Sequence, residues 1–317
     1  IQFQRLFRQP TRRALLWVNH EYTSGYEMFP GYSDAMPTGN QVDVEIAAHG
    51  GSLVTIESTS AGWVVDKSSV FNRRITGETP IAIDGPAAGS PLLQTSTDPT
   101  GTVVRGMLNN CGGGWTPWGT VLTAEENFDQ YFGNSAALSP EKRAFYARLA
   151  APAGASERKW ERFHDRFDVG KEPNEYAKFG YVIEVDPYDP TATPVKHTAL
   201  GRTKHEGAGT TLSKDQRAVV YSGDDARFEY LYKFVSKGSF DPSDREANMK
   251  LLSEGTLHVA KFNADGTGVW LPLVAGQGAL TAAAGFGTQA EVCVNTRKAA
   301  DLMGATKMDR PEDVDVS

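Results

Sequence analysis

The sequence predicts an all-β fold with helical insertions, and three observations carry that reading. Its apolar and β-branched stretches are short and closely spaced, as strands are. Clusters of Gly, Pro, Asn and Asp separate them, and 32 glycines with 17 prolines supply a turn after nearly every stretch. Helix-start signals stand out at two places, 139–150 and 288–303.

Strands are predicted, in chain order, at 15–18, 42–47, 53–57, 62–66, 103–108, 119–124, 180–186, 195–200, 217–222, 229–235 and 256–262. Asp265-Gly266 within "NADGTG" is a hairpin turn pair, and "DPYDPTATP" breaks the chain after Val185. The first helix opens on Ser139-Pro140-Glu141, a cap followed by a proline whose missing N–H costs nothing there. The second opens on Thr288 with Glu291 three residues later, a capping box, and Gly304 marks its stop. Short strands in succession imply antiparallel sheet. A sandwich, a barrel and a propeller all satisfy that pattern, and residues 179–225 favour the propeller because they read as four up-and-down strands, one blade. The chain is read as a single domain over 1–317 that is cut at both ends. It begins without Met or a signal-peptide core, and "RPEDVDVS" ends it like an unfinished strand.

Composition narrows the function. The 317 residues carry a net charge of −7 and no cluster of Lys and Arg interleaved with aromatics, so a nucleic-acid partner is not expected. An acidic protein that binds an anionic substrate needs cations to invert the local field, which points to bound metal. No apolar run reaches the ~18 residues of a membrane span. Two cysteines, Cys111 and Cys293, are too few for a disulfide framework, and Cys293 lies within the predicted helix as a core residue.

Five polar groups sit at predicted turns or strand ends. His20 and Glu21 of "VNHEY" read alone as a solvated turn. Lys204, His205 and Glu206 of "TKHEGAG" precede small residues that admit close approach, and they fit either a metal ligand or a strand-end ion pair. Asp224 and Asp225 of "YSGDD" are adjacent carboxylates, which repel unless a cation such as calcium joins them. Arg310, Glu312 and Asp313 of "MDRPEDVDV" flank a rigid proline, with Arg310 able to grip a phosphate through two N–H groups or simply to pair with Glu312. In "NNCGGGWTPWGTVLTAEEN" Cys111 alone would be a small core residue, and Glu125 and Glu126 follow a strand.

Together the phrases "LLWVNHEYT", "FNRRITGETPI", "LNNCGGGWTPWGTVLTAEENFDQYF", "ALGRTKHEGAG", "YSGDDARFEYLYKFV", "EGTLHVAKFNADGTG" and "GATKMDRPEDVDV" resemble, in that order, the PhoX-type alkaline phosphatases. The resemblance spans nearly the whole chain. It implies a β-propeller, six-bladed when complete, of which this chain lacks the last blade or more. Its central channel would hold ferric iron and calcium ions that bind phosphate directly, with attack on phosphate monoesters by a metal-bridging oxide or hydroxide. Glu21, Cys111, Glu206, Asp225 and Glu312 match the family's ligand motifs, and Arg310 matches its phosphate-contacting arginine. Glu125 and Glu126 both stand as candidate ligands, although only one of two adjacent strand residues can face the channel. His20, His205 and Asp224 are expected to orient the ligands from behind. The family's habit implies an exported, periplasmic or extracellular, monomeric enzyme acting on small phosphate esters. Two other readings stand beside it: a non-catalytic propeller stabilised by calcium, and a calcium-dependent lactonase or phosphotriesterase-like propeller. Cys111 separates them, since a pure calcium site has no use for a thiolate.

Overall fold

The computed structural model describes residues 3–8 and 13–316. Three sheets of five or six strands follow one another along the chain, and a two-stranded sheet joins Arg227–Glu229 to Met308–Asp309. The first has five strands: Phe3–Arg8, Arg13–His20, Gly50–Thr59 and Gly62–Val65 in order, with Arg73–Ile75 also paired to Gly50–Thr59. The second has six, in the order Val103–Arg105, Pro80–Asp84, Val195–His197, Val182–Val185, Val121–Glu125 and Asn110–Trp115. The third is an antiparallel five-stranded sheet of Gly209–Leu212, Arg217–Gly223, Leu231–Ser239, Gly255–Phe262 and Gly268–Pro272. No helix among the described residues is long and apolar enough to cross a membrane.

Several elements differ from the expectations. Residues 42–47 are not a strand but part of the helix Gly39–Ala48, because Thr38 and Gln41 close a reciprocal capping box ahead of them. That box outweighs the β-branched residues Val42, Val44 and Ile46. Residues 179–225 do not make one blade. Their first two strands belong to the second sheet and their last two to the third. Pairing is not wholly antiparallel either, since Val195–His197 lies parallel to Pro80–Asp84. The strand expected at 229–235 breaks at Tyr230, leaving Arg227–Glu229 to pair with Met308–Asp309. The helix expected over 288–303 is two, Gln289–Val294 and Thr296–Met303, separated at Asn295. Both expected start signals hold: Ser139 caps Pro140–Tyr146, and Thr288 with Glu291 forms its box. Residues 310–316 form no strand.

Strands 73–75, 80–84, 110–115, 209–212 and 268–272 are short or carry Gly or Pro, and so do not stand out in sequence. Between Val121–Glu125 and Val182–Val185 the chain runs through short helical turns. That segment buries Tyr131, Phe132, Trp160, Phe167, Tyr176 and Phe179 against the first two sheets, in one core that also holds Cys293. A second core joins the second and third sheets.

The strand Asn110–Trp115 is the pivot of this arrangement. It contacts Arg13–His20 of the first sheet on one side and Gly209–Leu212 of the third on the other. Side chains at the ends of these inner strands therefore meet, however distant they are in sequence.

Candidate metal centre

Cys111 is buried on that strand, the edge of its own sheet, where a register irregularity between Asn110 and Gly113 lets the backbone bend. The glycine after it is a steric requirement. A Cβ on Gly112 would stand 2.2 Å from the Glu206 carbonyl oxygen. Asn19 ties the strand to the first sheet: its Nδ2 donates to the Cys111 carbonyl at 2.5 Å and to that of Gly112 at 3.1 Å. The Asn19 Oδ1 in turn accepts from Trp17 Nε1 at 2.7 Å and Thr123 Oγ1 at 2.8 Å.

Around Cys111 gather carboxylates from the ends of other strands. Glu21 follows Arg13–His20, Glu126 follows Val121–Glu125, Glu206 precedes Gly209–Leu212, and Asp225 follows Arg217–Gly223. One ligand atom each from Glu21, Cys111 and Glu126 lie within 4.8 Å of one another, as do one each from Glu126, Glu206 and Asp225. Glu126 is common to both groups, so the cluster is continuous.

Asn109 shapes this end of the strand with a left-handed φ of 51°, a conformation that asparagine tolerates better than most residues. Its carbonyl accepts from the Glu126 N–H at 3.0 Å and its Oδ1 from the Asn127 N–H at 2.6 Å. Its Nδ2 reaches the Glu21 carbonyl at 3.2 Å. Asn127 Nδ2 then donates to Glu126 Oε1 at 2.6 Å. Neither asparagine was selected from sequence, although an Asn pair before a Cys-Gly run is itself a turn signal.

So many acidic groups in one place are unstable as a set of charges. Burial, and then Glu21 and Asp225, push the Glu126 carboxyl up to about 7. Burial and the neighbouring Glu126, Glu312, Asp225 and Asp313 push Glu206 up to about 8. Burial also raises Glu21, and burial with the surrounding carboxylates drives the Cys111 thiol far upward. Among the described residues the buried Glu206 Oε2 finds no hydrogen-bond partner. Unpaired carboxylate oxygen, mutual repulsion and a thiol among oxygens are what a multivalent cation would satisfy, since it would hold all of them ionised.

The other expected residues fall in three places. Arg310 and Glu312 stand at the rim: Arg310 Nε and Nη2 donate to Asp225 at 2.9 and 2.6 Å, and Nη2 lies 3.2 Å from the half-exposed Glu312. Gly223 lets that turn approach, because a Cβ there would stand 2.2 Å from the Pro311 carbonyl oxygen.

Glu125 points away from the cluster. It is fully buried against Lys196 Nζ at 2.7 Å and accepts from the N–H groups of Leu108, Gly180 and Tyr181. Strand alternation thus separates the two glutamates, with Glu126 alone facing the thiol.

The residues expected to orient ligands do otherwise. His20 bonds Ser52 Oγ at 2.9 Å. His205 is held between Ser222 Oγ and the Gly201 carbonyl, and neither histidine meets a carboxylate side chain of the cluster. Asp224 receives two N–H groups of Arg297, an ion pair local sequence gave no means of foreseeing.

A family model described as "Alkaline phosphatase PhoX" matches residues 2–317. The chain is also similar to a solved structure described as "Pseudomonas fluorescens PhoX in complex with vanadate, a transition state analogue", at 43% identity and a TM-score of 0.92. That match covers 98% of this chain and 55% of the other, so the chain spans little more than half of its relative's length. The curated proteins contain no match.

Proposed function

The chain belongs to the PhoX alkaline phosphatase family, and from that membership we propose that its thiol and carboxylate cluster is the metal centre of a phosphate monoester hydrolase. The observation that carries the reading is the convergence of Glu21, Cys111, Glu126, Glu206 and Asp225 from three sheets into one continuous set of anionic ligand atoms. Structural likeness to a relative described with vanadate, a transition-state analogue, supports the same site as the place of phosphoryl chemistry.

Ferric iron suits the end that holds Cys111, because a hard trivalent cation accepts carboxylate and thiolate together, whereas calcium suits Glu206 and Asp225. Such cations would act as Lewis acids toward the phosphoryl group. The chain's own residues do the positioning. Asn109 and Asn127 fix Glu126, and Asn19 fixes the backbone under Cys111. Arg310, steadied by Asp225, brings positive charge to the rim, where it would offset charge on the equatorial phosphoryl oxygens. Glu312 stands beside it as a further ligand. An exported, periplasmic or extracellular site agrees with calcium use, and a monomer that acts on small phosphate esters and binds no nucleic acid completes the proposal.

Metal analysis with absorption spectroscopy on protein purified without chelator tests it. Iron with a visible charge-transfer band that Cys111→Ala abolishes, together with release of phosphate from p-nitrophenyl phosphate, is the expected outcome. Calcium alone with an unchanged spectrum would sink the iron centre and leave the calcium-dependent readings.

A further inference from the structure

Tyr22 follows Glu21 directly, and nothing in the account so far uses it. Its side chain is 47% exposed, although its neighbours across the cluster are buried. The phenol is nonetheless held in place. Asn127 Nδ2 donates to the Tyr22 hydroxyl at 3.1 Å and Gln130 Nε2 lies 3.4 Å from it. The same Asn127 amide nitrogen donates to Glu126 Oε1 at 2.6 Å, so one group bridges the ring and the central carboxylate of the cluster. Lys204 Nζ donates to Asn127 Oδ1 at 3.0 Å and pairs with Asp129 at 2.8 Å, which fixes the amide from its other side. Beneath the ring the Arg158 guanidinium lies 5.8 Å from the Tyr22 centroid and 5.9 Å from that of the buried Tyr131, and its Nη1 donates to the Thr23 carbonyl at 3.0 Å.

A surface aromatic tied at its hydroxyl and packed against a guanidinium has little rotamer freedom left to lose. A flat group that settles on it keeps most of the stacking energy. Tyr22 follows Glu21 and shares the Asn127 amide with Glu126, whereas Arg310 pairs with Asp225, so the two stand by different members of one cluster.

We propose that Tyr22 is the platform for the alcohol half of the substrate, and that it selects phosphate monoesters whose leaving group is a planar aromatic. The assignment rests on the phosphatase reading of the cluster. It predicts preference through binding of the leaving group, with the phosphoryl group held elsewhere.

The test compares metal-loaded parent, Tyr22→Phe and Tyr22→Ala on p-nitrophenyl phosphate and glycerol 2-phosphate. In parallel, calorimetry compares binding of phenylphosphonate and methylphosphonate. Tyr22→Ala should lower the aryl-to-alkyl ratio of kcat/KM about three- to tenfold, and the phenyl-to-methyl affinity ratio by a similar factor. Tyr22→Phe, which keeps the ring, should retain most of both ratios. Equal losses on both esters and both phosphonates, the mark of a merely structural tyrosine, would overturn the proposal, as would unchanged ratios. If the parent releases phosphate from neither ester, the phosphatase reading falls. The phosphonates then decide alone, with an unequal loss supporting the platform and an equal one overturning it.

Discussion

Glu125 and Glu126 differ by one position and have opposite environments. Glu125 is a buried ion-pair partner: Lys196 Nζ, itself 3.9 Å from the Phe179 ring centroid, is its counter-charge, and three backbone N–H groups fill its remaining lone pairs. Removing one member of such a pair strands the other in the core, at a cost of about 3–5 kcal/mol. Lys196→Met should therefore lower unfolding free energy by that order in denaturant titrations. Glu125→Gln should weaken the fold while leaving bound metal per folded molecule unchanged. Glu126→Gln should do the reverse, reducing metal content by elemental analysis with a smaller change in the stability of the chelated protein. Equal metal loss in both variants would contradict the assignment of Glu126 as the ligand.

At the scale of elements, the helix Gly39–Ala48 shows how a local signal can outweigh a propensity. The period-2 pattern of "VDVEIA" suggests a strand, yet Val42 and Ile46 are four residues apart and both are buried, one helical face toward the core. Thr38 accepts from the Gln41 N–H while Gln41 Oε1 accepts from the Thr38 N–H. Thr38→Ala should cost about 1 kcal/mol, read as a lower midpoint in chemical denaturation. The cap at Ser139 and the box at Thr288 were legible because Pro140 at the first helical position and the Thr288–Glu291 spacing are themselves written in the sequence. The strand Asn110–Trp115 was illegible for the opposite reason. Its three glycines signal a loop, and its extended form comes from pairing with Val121–Glu125 and from contact with both neighbouring sheets.

For the whole molecule, pH links charge to stability. Glu126 and Glu206 have folded-state pKa values of about 7 and about 8, both above their ordinary 4.5. Their contribution to stability is therefore present below about 4.5 and is lost as pH rises through about 7 and about 8. Protein stripped with a chelator should accordingly lose unfolding midpoint between pH 5 and 8, and a multivalent cation should restore it. A cation-insensitive profile would tell against a metal centre. A second titration belongs to the scaffold. Burial lowers the His197 imidazole, but Asp84 and Glu184 on either side outweigh it and lift it to about 10. Its contribution is full below the ordinary 6.5 and is lost as pH rises through about 10, so stability should decline at alkaline pH in a way that His197→Gln flattens.

Strand patterning, helix caps and ordered motifs are local and survive without neighbours, so the all-β class, the two helix starts and the family were legible in the sequence. It also supplied Glu21, Cys111, Glu206, Asp225, Arg310 and Glu312 as the polar groups that meet at or around one place. Which of the paired glutamates faces the thiol, that Asp224 belongs to Arg297, and that His20 and His205 bond hydroxyls and a carbonyl emerged in the fold alone. The same holds for the division of residues 179–225 between two sheets. Apart from His205, whose partners Gly201 and Ser222 are nearer, those outcomes depend on residues far along the chain and on how the sheets pair. Side-chain direction in a strand is fixed by register, and register is set by pairing across the sheet.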